Sequence, residues 1–158
     1  MQIIQATTEH VDTVYAITQQ VILESYPHYY PMPAVQFMSN YHDRNKILRD
    51  IAEGTILLLL TGEGVPAATG TARGSEIGRL FVLPEYQGQG MGTALMDRLE
   101  NVVFLNHDRI QLDASLPAKP MYSKRGYTEI SYEVQPVGGG DFVCYSVMEL
   151  RRQGDRCE

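Results

Sequence analysis

Val82-Leu83-Pro84-Glu85-Tyr86-Gln87-Gly88-Gln89-Gly90-Met91-Gly92-Thr93 joins a strand directly to a helix and places glycine at three alternate positions. Pro84 stops the strand, because proline has no N–H for the sheet ladder. Met91, Leu95, Leu99 and Val102 then recur at i, i+4, i+8 and i+11, the spacing of an amphipathic helix. Gly88, Gly90 and Gly92 remove side chains where a ligand could otherwise not approach the backbone. The unpaired N–H groups of the helix start and the positive end of its dipole suit a pyrophosphate. Glycines alone also fit a tight turn with no ligand. No lysine follows them, so the segment is not a G-x-x-x-x-G-K-[ST] loop. Nor does it follow a first strand as G-x-G-x-x-G, so a Rossmann unit is disfavoured.

Upstream, Ile3 and Ile4 predict a short first strand, and Thr7 or Thr8 can cap a helix that runs to about Ser25. Tyr26–Pro33, with three prolines and three tyrosines, breaks regular structure. One further helix is expected over Val35–Glu53, with Gly54 placed to end it. Strands are expected at Thr55–Thr61, Pro66–Arg73 and Glu76–Val82. Downstream come a strand at Arg109–Ala114, a short helix at Ala118–Arg125, and strands at Tyr127–Val134 and Phe142–Leu150 joined by a glycine loop. The order β-α-α-β-β-β-α-β-α-β-β implies a mixed α/β or α+β sheet with helices on its faces. One domain is expected over residues 1–150, followed by a polar tail over 151–158.

The chain has 158 residues, 44% hydrophobic and 20% charged, as suits one soluble core. A net charge of −6 disfavours a nucleic-acid binder, which needs a basic face. Cys144 lies in an apolar strand pattern and Cys157 in the tail, so neither a disulfide framework nor a metal site is expected, and a reducing cytoplasm is the natural compartment. No signal peptide is read at the N-terminus. The longest apolar run, Ile56–Leu60, is too short for a membrane span. His42–Lys46 reads as a solvated charged helix face, and His107 as a helix-end histidine.

Gln87-x-x-Gly90-x-Gly92 resembles the Q/R-x-x-G-x-G/A signature of the GNAT (GCN5-related) N-acetyltransferase superfamily. Ala118-x-x-x-Tyr122-x-x-x-Gly126-Tyr127 is similar to that family's second motif, with Met121 for the usual Leu and Tyr127 for the usual Phe. Ser115 stands where the family often has Asn, and a serine makes fewer hydrogen bonds. The element order is similar to the GNAT fold over nearly the whole chain.

The resemblance implies a mostly antiparallel sheet whose fourth and fifth strands splay apart around acetyl-CoA, used as co-substrate without a metal. It implies a cofactor site of Gln87, Gly88, Gln89, Gly90, Met91, Gly92 and Thr93 for the pyrophosphate, with Leu80, Phe81 and Val82 along the pantetheine and Ser115 as a further contact. The Val82 N–H would polarise the thioester carbonyl. Tyr122 matches the family's general acid, since a phenol stays protonated at neutral pH. Glu76, eleven residues before Gln87, is the candidate base, with ordered water as the alternative. Tyr26, Tyr29 and Tyr30 lie where the family often builds its acceptor pocket. The implied partner is a small-molecule or peptide amine, and the implied assembly a monomer or homodimer. A non-catalytic acyl-CoA sensor on the same fold, and a nucleotide binder using the glycine loop, are the competing readings.

Overall fold

In the computed structural model, which describes residues 1–154, seven strands form one sheet in the order β1-β2-β3-β4-β5-β7-β6. They are β1 (Gln2–Gln5), β2 (Ile56–Leu60), β3 (Pro66–Arg73), β4 (Glu76–Val82), β5 (Arg109–Ala114), β6 (Thr128–Gly138) and β7 (Asp141–Arg151). Every neighbouring pair is antiparallel except β4 and β5. Those two share a single parallel register point, Glu76 opposite Gln111, and then diverge. The last residues of the expected tail, 155–158, lie outside the described residues, and Cys157 with them.

Helices cover both faces. Helix α1 (Val11–Ser25), α2 (Met32–Tyr41) and α3 (Arg44–Ala52) enclose one core, in which Ile22, Val35, Ile47, Ile56 and Leu58 are fully buried. Helix α4 (Met91–Phe104) and the short α5 (Lys119–Lys124) cover the other, around Leu95, Met96, Leu99 and Ile110. Burying a large aliphatic side chain stabilises by about 1.5–3 kcal/mol, so these two clusters clamp the sheet from either side.

The single helix expected over Val35–Glu53 is two. Asp43 takes an extended conformation and its carboxylate accepts the Lys46 N–H at 2.8 Å, which caps a new helix and ends the old one. This overturns the reading of His42 as part of a solvated face. His42 ends α2, and its ring meets Phe81 edge-on at 5.5 Å and Tyr41 at 5.1 Å. Strand β6 also runs past the expected Val134 to Gly138, through Pro136. It is an edge strand, where a missing N–H costs no ladder bond.

Strand β4 carries a bulge. Thr69 faces Phe81 but Thr71 faces Gly78, so Arg79 and Leu80 together oppose Gly70. Arg79 has φ +50°, alone among the described non-glycine residues in the left-handed region. Such a conformation costs about 1–2 kcal/mol. The bulge breaks the alternation: Ile77 faces the α4 core, whereas Phe81 faces the α1–α3 core.

Candidate active site

The divergence of β4 from β5 opens the sheet, and two cavities meet in the gap. The first, about 680 Å³, runs from the glycine loop to the end of α1. The second, about 330 Å³, lies on the α2–α3 side between β4 and β5. Tyr26, Leu80, Phe81, Ser115, Ala118 and Tyr122 line both, so they form one passage through the sheet.

The glycine loop is held in the shape its composition anticipates. Gly88 has φ +73°, and Gly90, the residue preceding the first turn of α4, has φ +82°. A Cβ on either would meet no atom within 4 Å, so the backbone faces open space rather than packed protein. Gln87 Nε2 donates to the Val82 carbonyl at 2.9 Å, and Gln89 Nε2 to the Glu85 carbonyl at 2.9 Å. The first bond ties the loop back to the strand it leaves, and the second closes the loop on itself. Gln87, Gly88, Gly90, Gly92 and Thr93 all line the first cavity. Gln89 and Met91 do not, and the Met91 side chain is buried in the α4 core. A pyrophosphate fits this cradle, since it needs backbone donors at a helix start and room in front of them.

Val82 adds a donor. The Leu83 N–H donates to the Ala67 carbonyl at 2.9 Å, which makes Leu83 a hydrogen-bonded partner of β3. In an antiparallel ladder the neighbouring Val82, opposite Ala68, then points its N–H and C=O the other way, toward the gap. Strand β5 has diverged by then, and its one register point with β4 lies back at Glu76, so no β5 ladder partner is paired with Val82.

Tyr122 is 5% exposed and stacks edge-on with Tyr127 at 5.7 Å. Burial, and then Tyr26 nearby, push its phenol pKa above the ordinary value. Tyr26 is pushed up to about 12, chiefly by burial, with the Ser115 hydroxyl opposing and Tyr30 adding to the rise. Both phenols are protonated at neutral pH.

The three tyrosines expected around an acceptor separate. Tyr26 lines both cavities and Tyr29 the first. Tyr30 lines neither. Its hydroxyl donates to the Cys144 carbonyl at 3.2 Å and accepts from the Leu116 N–H at 2.8 Å, so it braces the loop that carries Ser115. Glu76, the candidate base, lines the second cavity but is exposed.

Several residues of the second cavity were not anticipated. Gln111 and Asp113 come from the face of β5 opposite Ile110 and Leu112. The Asp113 carboxyl is raised above the usual range by partial burial and then by Glu76 and Glu133. His42, Lys46 and Arg79 form the other wall. Burial, reinforced by Arg79 and Lys46, lowers His42 to about 3, so it is neutral at pH 7. The one signal for this wall in the sequence is an arginine inside the otherwise apolar run Ile77–Val82. Among the described residues, no group of three or more His, Cys, Asp or Glu is arranged to hold a metal ion, and no helix is long and apolar enough to cross a membrane.

A family model described as an acetyltransferase (GNAT) domain matches residues 17–148. Among solved structures, the chain is similar to a GCN5-related N-acetyltransferase, "Aminotransferase, Class-II", from Rhodopseudomonas palustris. Identity is 24%, with 96% of this chain and 95% of that chain covered and a TM-score of 0.84. It is also similar to YncA, a putative acetyltransferase from Salmonella typhimurium with its cofactor acetyl-CoA. There identity is 16%, coverage 99% of each chain and the TM-score 0.73. The ribosomal-protein-S18-alanine N-acetyltransferase from Escherichia coli matches at 18% identity, with 99% of this chain and 98% of that chain covered and a TM-score of 0.72. No curated protein sequence matches the chain significantly.

Proposed function

Because this chain belongs to the GNAT acetyltransferase family, we propose that it moves an acetyl group from acetyl-CoA to the primary amine of a small molecule or peptide by direct attack. One observation carries the reading: the glycine cradle and the Val82 donor open on the same passage as Tyr122, whose far end holds carboxylates.

Acetyl-CoA, when bound, supplies an activated acetyl thioester. The N–H groups from Gln87 to Gly92 and the Thr93 hydroxyl hold the pyrophosphate at the start of α4. Phe81 and Val82 offer backbone to the pantetheine as a neighbouring strand would. The Val82 N–H holds negative charge that develops on the acetyl oxygen. Tyr122, buried and protonated, donates a proton to the leaving sulfur. The attacking amine must lose a proton, and Glu76 or a water on it accepts it. Asp113 shares that end of the passage, and its raised carboxyl pKa brings it nearer to a base matched to neutral pH.

The test supplies acetyl-CoA with a panel of amines and follows thiol release. Turnover on at least one amine is expected. Tight CoA binding with no turnover on any amine would favour a sensor, and tighter binding of ATP than of CoA would sink both readings.

A further inference from the structure

The wall of the second cavity around Arg79 has no role in the reaction as described. The Arg79 side chain is 6% exposed, and its Nη2 sits 3.0 Å from Asp50 Oδ2 on α3. Even so, neither terminal nitrogen completes a hydrogen bond, and the neighbouring His42 Nδ1 is also buried without a partner. A buried donor left without a partner is destabilising, because it has given up water and gained nothing in return. This one is held in place by a left-handed backbone at a bulge, which adds a second cost. A ligand acceptor would complete the guanidinium. Lys46, whose Nζ lies 3.4 Å from the Tyr41 ring centre, stands on the same wall. Glu76, three residues before Arg79 on the same strand, and Asp113 of β5 line the same cavity.

We infer that the acceptor is a small aminocarboxylate, held by its carboxylate at Arg79 and Lys46 and by its amine toward the Glu76–Asp113 side. The inference rests on the acetyl-transfer reading and names the substrate class of the same site. A planar carboxylate matches the guanidinium fork. Asp50 already balances Arg79, and Glu76 and Asp113 oppose further negative charge, so a monoanion suits the wall better than a dianion. The cavity volume of about 330 Å³ holds an acceptor of amino-acid size. Val82 lies three residues beyond Arg79, at most about 10 Å along a strand and less across a bulge.

The experiment uses the CoA-loaded full chain and matched pairs: the common amino acids, β-alanine and γ-aminobutyrate, each beside its carboxamide. Calorimetric binding and acetyl-CoA turnover are both read. At least one acid is expected to bind and react about tenfold or more better than its amide. Arg79→Gln should erase that preference while leaving CoA binding at the glycine loop intact. Because that variant strands Asp50, the double variant R79G/D50N serves beside it. Glycine suits φ +50°, and asparagine leaves no orphan charge. Amides that bind and react as well as acids, or a preference that survives both variants, would overturn the inference and leave acetyl transfer standing. Acids that bind through Arg79 without turnover on any amine would support the carboxylate site and overturn the reaction instead.

Discussion

Replacing Gly90 by alanine isolates the backbone cost of the cradle. Gly90 holds φ +82° and ψ 4° before the first turn of α4. The added methyl would meet no atom within 4 Å, so steric overlap contributes nothing in the free protein. What remains is the left-handed conformation, about 1–2 kcal/mol for an L-residue with a side chain. The chain has two ways to take this cost. If the loop keeps its shape, stability falls by that amount and CoA affinity is retained. If it relaxes, stability is spared and the N–H groups are re-aimed. CoA binding must then restore the strained form, and its Kd rises about 5–30-fold. The sum of the two losses is fixed near 1–2 kcal/mol either way. Urea unfolding gives the first term and calorimetric titration with CoA the second. Gly88→Ala, at φ +73° with the same open space, should return a similar sum. A combined loss below about 0.5 kcal/mol, the ordinary noise of a surface substitution, would falsify the loop geometry.

Tyr122→Phe should lower kcat by roughly 10²–10⁴ with the KM for acetyl-CoA nearly unchanged; a rate within threefold of the parent would remove Tyr122 from the reaction. Gly70→Ala should destabilise by about 1–3 kcal/mol, because its Cβ would lie 2.6 Å from Cδ1 of the fully buried Leu99; an unchanged urea midpoint would contradict that packing. His42 is neutral in the fold down to about pH 3, yet unfolded it gains a proton near its ordinary value of 6.5. The unfolded state therefore binds more protons between those values, and stability falls as pH drops from 6.5 toward 3, by up to about 1.4 kcal/mol per pH unit. His42→Phe should flatten that part of the stability–pH curve, and a curve superimposable on the parent's would show that His42 is not held neutral.

Local signals read well from the sequence and non-local ones did not. The bounds expected for β3, β4 and β5 match those observed, because proline, glycine turns and alternation mark them within the strand itself. The break between α2 and α3 was present as Asp43, a capping residue set in a charged run that looked like one continuous helix face. Strand β6 runs through Pro136 beyond the expected Val134, and only the sheet order shows that it lies on an edge, where a proline is tolerated. The glycine cradle was legible because its chemistry is carried by backbone in one stretch of chain. The second cavity was not. Arg79 enters it through a bulge defined by pairing with β3, and it meets Asp50 and His42 from helices far away in sequence.

Tyr30 has a mechanical consequence. A sheet that parts down its middle is two half-sheets, β1–β4 and β5–β7, with little ladder left to hold them in register. The α1–α2 connection packs in a core that holds Phe81 of the first half and Val143 of the second, and the Tyr30 hydroxyl bonds the backbone of Cys144 and of Leu116, just beyond β5. One phenol thus acts as a spacer that sets the gauge of the gap. Its ring stays packed 5.7 Å from Tyr26, so the spacer is tied to the very residue that lines both ends of the passage. On the proposed function, the width open to a thioester and an amine is partly the length of a tyrosine.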